Sequence, residues 1–327
     1  MTQTATEARV AGKVHVQALP LVRGRSPAGE AWRRFRRKKL AMASLIYICV
    51  ILLLGLLAPV LPIQSFSAQD LSNVRAYPSW EHPLGTDDLG RDMLSRLIWG
   101  AQTAFLVATI PMVIAMSIGV TVGLIAAWYR GWIDTLLMRL CDYLLAFPAL
   151  LLLIFLAATF KPTVVNFVRE AGPLIGQPGL WRTGIVDYLA VLIILALVGW
   201  AGLARLVRGQ ALSLKEREYI EAARTIGASE RRILFLHLLP NILPLLIVLA
   251  SMSMGGAIAA ESTLSFLGIG IVPPYPSWGS MIADSYGKLR TPYWWLLAEP
   301  LVLVTTILYA FAYLGDGLAD ALNPQAN

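Results

Sequence analysis

Apolar residues in this chain do not come and go with the period of a half-buried helix or strand; they run on for twenty residues or more between charges. A hydrocarbon layer about 30 Å thick is crossed by roughly twenty helical residues. Six stretches qualify: 40–62, 101–128, 134–160, 186–206, 241–264 and 293–315. The second and third are divided only by Trp128, Tyr129, Arg130, Gly131 and Trp132, which predicts a tight turn at an interface lined by aromatic rings.

Composition agrees with that pattern. Hydrophobic residues make up 57% of the 327 and charged residues 14%, against about a quarter charged in soluble domains. The reading is an all-α integral membrane protein embedded in a lipid bilayer. A net charge of +7 raises the question of nucleic acid, but its densest source is Arg33, Arg34, Arg36, Arg37, Lys38 and Lys39, directly before an apolar stretch. A run so placed holds a helix end at the cytoplasmic face, so no nucleic-acid partner is expected. The stretch 40–62 outruns the apolar core of a cleaved secretory signal and reads as a retained first span.

Lys and Arg in the connections set the expected orientation. The leading run and the connection holding Arg205, Arg208, Lys215, Arg217, Arg224, Arg231 and Arg232 belong in the cytoplasm. The connections 63–100, 161–185 and 265–292 are poorer in cations for their length and face outward. Six spans then place both termini in the cytoplasm. The organisation reads as a polar arm over 1–31, a basic anchor and first span over 32–62, an outward loop over 63–100, a five-helix core over 101–315 with a cytoplasmic loop at 205–241, and a tail over 316–327.

Charged and sulfur-bearing residues suggest little chemistry. Cys49 and Cys141 have no disulfide or thiolate-metal spacing, and His15, His82 and His237 lie in separate regions, so no metal site is expected. No nucleophile, base and orienter set emerges, which argues against an enzyme. No G-x-x-x-x-G-K-[ST] string occurs, so ATP is not bound here by that route.

The loop 205–241 has internal pattern. As a helix, Glu216 to Ile226 places Tyr219, Ala222, Ala223 and Ile226 on one face with a small centre that another backbone can approach. Glu221 is spaced to pair with Arg217 or Arg224. Gly227 is a natural stop, and Ser229 with Glu230 suits the cap and first turn of a second helix. Such a loop could simply lie on the membrane surface. Its specific string, however, is Glu221, Ala222, Ala223, three residues, Gly227, nine residues, then His237, Leu238, Leu239, Pro240. It resembles the "EAA" signature of ABC importer permeases, with His237 where the usual form has isoleucine.

HPLGTDDLGRDMLSR at 82–96, AAWYRGWIDTLLMRLCD at 126–142, ESTLSFLGIG at 261–270, PSWGSMI at 276–282 and LGDGLADALNP at 314–324 resemble, in order, blocks of the C-type permease of dipeptide and oligopeptide importers. Ala319 and Asn323 depart mildly from the last block. The resemblance implies a type I ABC importer permease fold with six transmembrane helices. It also implies a second homologous permease subunit, one or two ABC ATPase subunits carrying ATP and Mg, and an external substrate-binding protein. No cofactor is implied on this chain. It makes Glu221 to Gly227 the segment that seats in the ATPase and short peptides the cargo, with nickel chelates or peptide-like antibiotics as the alternative. An ion-coupled secondary transporter is a further alternative, though no repeat between the halves supports it.

Three features stay open. Thr86 to Asp92 reads as a turn closed by carboxylate–arginine pairing that either caps the second span or meets a binding protein. Asp134, Arg139 and Asp142 are close enough along one helix to pair, as a structural clamp or a gate. Glu261, beside Ser262, is either an intramembrane pathway carboxylate or an interface group bonded to Ser262 or Thr263. The small residues before it, from Ser251 to Ala260, suit close helix packing and a pathway seam equally.

Overall fold

The computed structural model describes residues 27–176, 179 and 184–323. Residues 1–26 of the arm, Pro178 and Arg182 of the 161–185 connection, and the residues after Asn323 lie outside the described residues. The chain is helical: α1 Pro27–Arg37, α2 Lys39–Leu57, α3 Met93–Tyr129, α4 Gly131–Leu145, α5 Ala149–Ala171, α6 Ile185–Lys215, α7 Glu218–Thr225, α8 Glu230–Arg232, α9 Leu239–Phe266, α10 Trp278–Ser285 and α11 Trp295–Leu322. Among the described residues six helical segments, built on α2, α3, α5, α6, α9 and α11, are long and apolar enough to cross a membrane.

The third span differs from the expectation over 134–160. Two helices replace it, α4 and α5, broken at Ala146, Phe147 and Pro148. Pro148 donates no hydrogen bond and turns its predecessor away from helical geometry; because its neighbours are apolar, hydropathy runs straight through the break. The span proper begins at Ala149 and continues past Lys161 and Pro162 into the stretch expected as the outward connection 161–185. Lys161 is tolerated there because its Nζ lies 2.7 Å from the Asp187 carboxylate of α6 and donates to the Gly270 carbonyl at 2.8 Å. The arm expected through residue 31 likewise turns helical at Pro27.

Among the described residues α3 and α6 form the most extensively packed pair of helices. A Cβ on Gly119 would stand 2.9 Å from the Trp200 carbonyl oxygen, and one on Gly123 2.6 Å from that of Ala204. Glycine at this four-residue spacing lets the two backbones touch, which is how helices pack where hydrophobicity gives no preference over lipid. On the other flank α11 packs on α9 and α2, with Phe35, Phe105, Ile258, Ile307 and Phe311 in one buried cluster. Alternation of the spans puts α1, the α3–α4 turn, α7 and the end of α11 at one end of the bundle, called here the α7 end. The loops 58–92 and 267–294 form the far end.

The far end is held by the 82–96 block. The Asp87 carboxylate accepts from the backbone N–H of Leu89 and Arg91, each at 2.9 Å, and from Arg91 Nε at 2.6 Å. Asp92 caps α3 by accepting from the Ser95 N–H at 2.7 Å, while its other oxygen lies 3.0 Å from His82 Nδ1. Thr86, Arg91, Asp92 and Arg96 are buried. The block therefore caps and fixes the start of α3, while Leu89 at its turn is exposed.

Candidate functional site

Two regions are candidates for function: the α7 segment and a cavity among the spans. Helix α7 ends in a full Schellman turn. Ile226 is its C-cap, Gly227 takes φ +82, the Gly227 N–H donates to the Arg224 carbonyl at 2.9 Å, and the Ala228 N–H to that of Ala223 at 3.0 Å. Ser229 then caps α8, accepting from the Arg232 N–H at 3.4 Å. Between α8 and α9, Ile233–Leu238 forms a π-helical turn. Pro240 and Pro244 follow it, and the wider turn accommodates a proline that lacks an N–H and crowds the carbonyl four residues back.

The face expected at Tyr219, Ala222, Ala223 and Ile226 is divided by the fold. Ala223 turns inward with Ile220 and packs on Ile233 and Leu238. Tyr219, Glu221, Ala222 and Ile226 point away from the bundle, and Ile226 is 84% exposed. The helical stripe was displaced because Ile220, one position over, supplies the larger apolar group and takes the inner face. Glu221 forms no ion pair among the described residues. Arg224 instead lies over the Trp128 ring, 5.4 Å from its centroid, and Lys215 lies on the same ring at 4.7 Å. Lys215 Nζ also donates to the carbonyls of Trp128 at 2.7 Å and Ala127 at 3.3 Å, capping the end of α3. Trp128 thus fastens α3 to the end of α6 through Lys215 and to α7 through Arg224. Sequence reading took Trp128 as an interface ring and Lys215 as a topological charge; only a contact across 87 residues reveals the pair.

The expected local pairing of Asp134, Arg139 and Asp142 does not form. Both aspartates cross to α6: Arg208 holds Asp134 through two hydrogen bonds of 2.5 Å, and Arg205 Nη1 lies 3.2 Å from the Asp142 carboxylate. Arg139 lies in the same cleft, without an ion pair among the described residues. Since α6 leads into α7 through Glu216 and Arg217 alone, α4 is tied to the helix that carries the α7 segment. Arg130 and Glu216, 3.3 Å apart, add a weak, exposed link at the same end.

Within the bundle a cavity of about 230 Å³ lies between α3, α5, α6 and α9. Met112 and Met116, Leu153, Leu203, Ser253, Gly256 and Ala260 line it. The small run of α9 presents two faces, one to the cavity and one to α11. Ser253, Gly256, Ala257 and Ala260 face the cavity, whereas Ser251 donates to the Phe311 carbonyl at 3.4 Å and a Cβ on Gly255 would meet Phe311 at 3.0 Å.

Glu261 and Ser262 do not line that cavity. Glu261 is 1% exposed and accepts from Ser265 Oγ and Ser277 Oγ at 2.6 Å each, with Ser262 Oγ at 3.5 Å. Ser265 Oγ accepts in turn from the Ile271 N–H at 3.0 Å. This carboxylate knots the end of α9 to the loop before α10.

Comparison with known proteins gives the class, a transport protein. Residues 119–327 match the model of the family described as binding-protein-dependent transport system inner membrane component, and residues 26–78 match the N-terminal transmembrane domain of oligopeptide transport permease C. The chain belongs to the first family, and it is a multi-pass membrane permease of an ATP-driven importer. It is 37% identical over 296 residues to the dipeptide transport system permease protein DppC of Bacillus subtilis (strain 168), covering 90% of this chain and 85% of that one. It is 35% identical over 317 residues to the glutathione transport system permease protein GsiD of Pectobacterium atrosepticum, covering 96% and 97%. An inward-facing structure of the MetNI methionine ABC transporter shares the fold, with a TM-score of 0.51 at 19% identity over 71% of this chain and 98% of that one.

Proposed function

We propose that this permease forms half of a translocation pathway for short peptides, delivered by an external binding protein and driven by one or two separate ATPase chains. A second homologous permease subunit would complete the pathway, and ATP and Mg would reside on the ATPases, with no cofactor on this chain. The α7 end faces the cytoplasm of a bacterial inner membrane, a reading supported by the cations of α1 and of the α6–α9 connection. Peptide cargo is supported by relatives named for dipeptide and glutathione transport.

One observation carries the coupling assignment: an exposed Ile226 beside exposed Tyr219, Glu221 and Ala222, on a helix whose opposite face is locked to the bundle by Ala223, Ile220 and the Trp128 contacts. Gly227 sets the turn that lets this helix protrude. A helix that presents an apolar tip yet cannot slide on its base transmits a push. Movement of the ATPases would displace α7, and α6 with its ties to α3 and α4 would carry that displacement to the cavity wall.

Because Ile226 touches little of its own chain, Ile226→Asp is expected to insert and fold normally while weakening capture of the ATPase about thirtyfold and abolishing ATP-dependent peptide uptake in proteoliposomes. Capture at the wild-type level would refute the assignment. Cargo is tested on the binding protein: thermal stabilisation by di- and tripeptides is expected, and a response to metal chelates alone would overturn the peptide reading.

A further inference from the structure

Helices α2 and α11 enclose a groove on the flank of the bundle remote from the cavity. It measures about 510 Å³ and is lined by Leu40, Ala43 and Tyr47 of α2 and Thr306, Tyr309 and Tyr313 of α11. The stretch Leu40 to Tyr47 rises about 10 Å along its helix, a third of a leaflet-to-leaflet hydrocarbon core of about 30 Å. Within it the Tyr47 and Thr306 hydroxyls lie 2.7 Å apart, and Thr306 also donates to the Val302 carbonyl. Tyr309 and Tyr313 stack with centroids 6.4 Å apart. The lining is thus a mostly apolar slot open to the side.

A dense group of cations sits where α1 meets the first turn of α2, at the Leu40 end of the slot. Arg34 and Lys38 are committed, Arg34 to the Asn323 carbonyl and Glu30, Lys38 to Asp320 at 2.6 Å. Arg33, Arg36, Arg37 and Lys39 are exposed and form no ion pair among the described residues. They are held at a fixed height, because Phe35 is buried against Ala41 and Gly317 and Trp32 stacks on it at 5.8 Å. Trp32 itself is half exposed, as a ring at the headgroup level is. The nearby acidic groups are Glu30 and Asp320, both paired, and Asp316, three residues beyond Tyr313, which offsets one of the four free charges.

We propose that this slot and its cationic rim bind one anionic phospholipid, an acyl chain lying between α2 and α11 and the phosphate held by Lys39 with Arg36 or Arg37. Charge complementarity selects the occupant. A neutral lipid would leave three of the four charges unanswered, and no α2 residue lines the cavity at which the proposed second permease subunit would complete the pathway. The inference concerns this chain and its lipid alone, so it stands or falls apart from the cargo and ATPase assignments.

The test is native mass spectrometry of the full chain in mild detergent with added phosphatidylglycerol or phosphatidylcholine. One retained phosphatidylglycerol is expected, with phosphatidylcholine retained far more weakly. Replacing Arg36, Arg37 and Lys39 with Gln should lower phosphatidylglycerol affinity roughly fivefold for each cation removed, and Ala43→Trp, which fills the slot from an exposed position, should abolish retention. Asp316→Asn should raise it, and Arg231→Gln with Arg232→Gln, far from the slot, should leave it unchanged. Equal retention of the two lipids, or retention undiminished in a folded Ala43→Trp chain, overturns the site. So does a photo-crosslinker at position 43 that captures protein instead of lipid.

Discussion

Arg208 grips Asp134 with two edges of its guanidinium, Nε to Oδ1 and Nη2 to Oδ2, each at 2.5 Å. Arg139, five residues along the same helix as Asp134, is rotated about 140° away from it and cannot compete with a partner arriving in bidentate geometry from α6. A charge-assisted bidentate pair is worth about 1.5–3 kcal/mol, reduced here because part of Arg208 is exposed to solvent. Asp134→Asn is expected to destabilise the bundle by about 1–2 kcal/mol and to slow uptake with ATPase binding intact. The exchange Asp134→Arg with Arg208→Asp should recover part of both losses. Strictly additive losses in a double-mutant cycle would refute the pairing as a link in coupling.

At Gly227 the constraint is conformational and not spatial: φ is +82, yet nothing lies within 4 Å of an added Cβ. Left-handed backbone costs an L-residue roughly 1–2 kcal/mol, less for asparagine. Gly227→Val should loosen the α7–α8 turn and reduce co-purification of the ATPase, whereas Gly227→Asn should retain most of it. Equal behaviour of the two variants would show that the turn does not matter.

Glu261 answers three serine hydroxyls at once. Glu261→Leu leaves Ser277 and Ser265 without their acceptor in a sealed site, and is expected to lower stability by about 2–4 kcal/mol. Glu261→Gln keeps one carbonyl acceptor and should cost less. Uptake in both should fall only as far as the amount of inserted protein falls. Lost uptake at full abundance in Glu261→Gln would mean that the carboxylate acts on cargo directly.

Asp88 bridges Arg75 and Lys288. Partial burial works to raise its pKa, but the hydrogen bonds from Lys288 and Arg75 outweigh that and hold it below the ordinary carboxylate value. A depressed native pKa contributes stability that is fully present above the unfolded value near 3.9 and lost as pH falls through the native one. Asp284, pushed up by burial against the pull of Arg96 and Arg91, has the opposite sign. Asp88→Asn should therefore flatten the acid limb of the tryptophan-fluorescence unfolding profile below about pH 4. An unchanged limb would refute the bridge as a source of far-end stability.

Much of the fold was legible because lipid imposes a simple rule on sequence: a segment that crosses must be long and apolar, and it must satisfy its own backbone. Hence the span count, and hence Gly227 and Ser229 as stop and cap, since those are local backbone requirements. The third span was misplaced because hydropathy counts solvation and ignores a missing N–H at Pro148. Facing was legible less well. Ala222 and Ala223 are adjacent and chemically alike, and which one turned inward depended on Ile220 and on Ile233 and Leu238 arriving beneath it.

By itself the sequence determined that this chain lives in a membrane, how many segments can cross it, and where a short turn-bounded helix interrupts the charged loop, because each of these follows from residue type within a window of twenty. Tertiary structure alone decided which charges meet. Asp134 finds Arg208 across 74 residues, Lys161 finds Asp187, and Glu261 finds Ser277 instead of the cavity. A buried charge must be answered by whatever partner packing brings within about 3 Å, and packing is a property of the whole bundle.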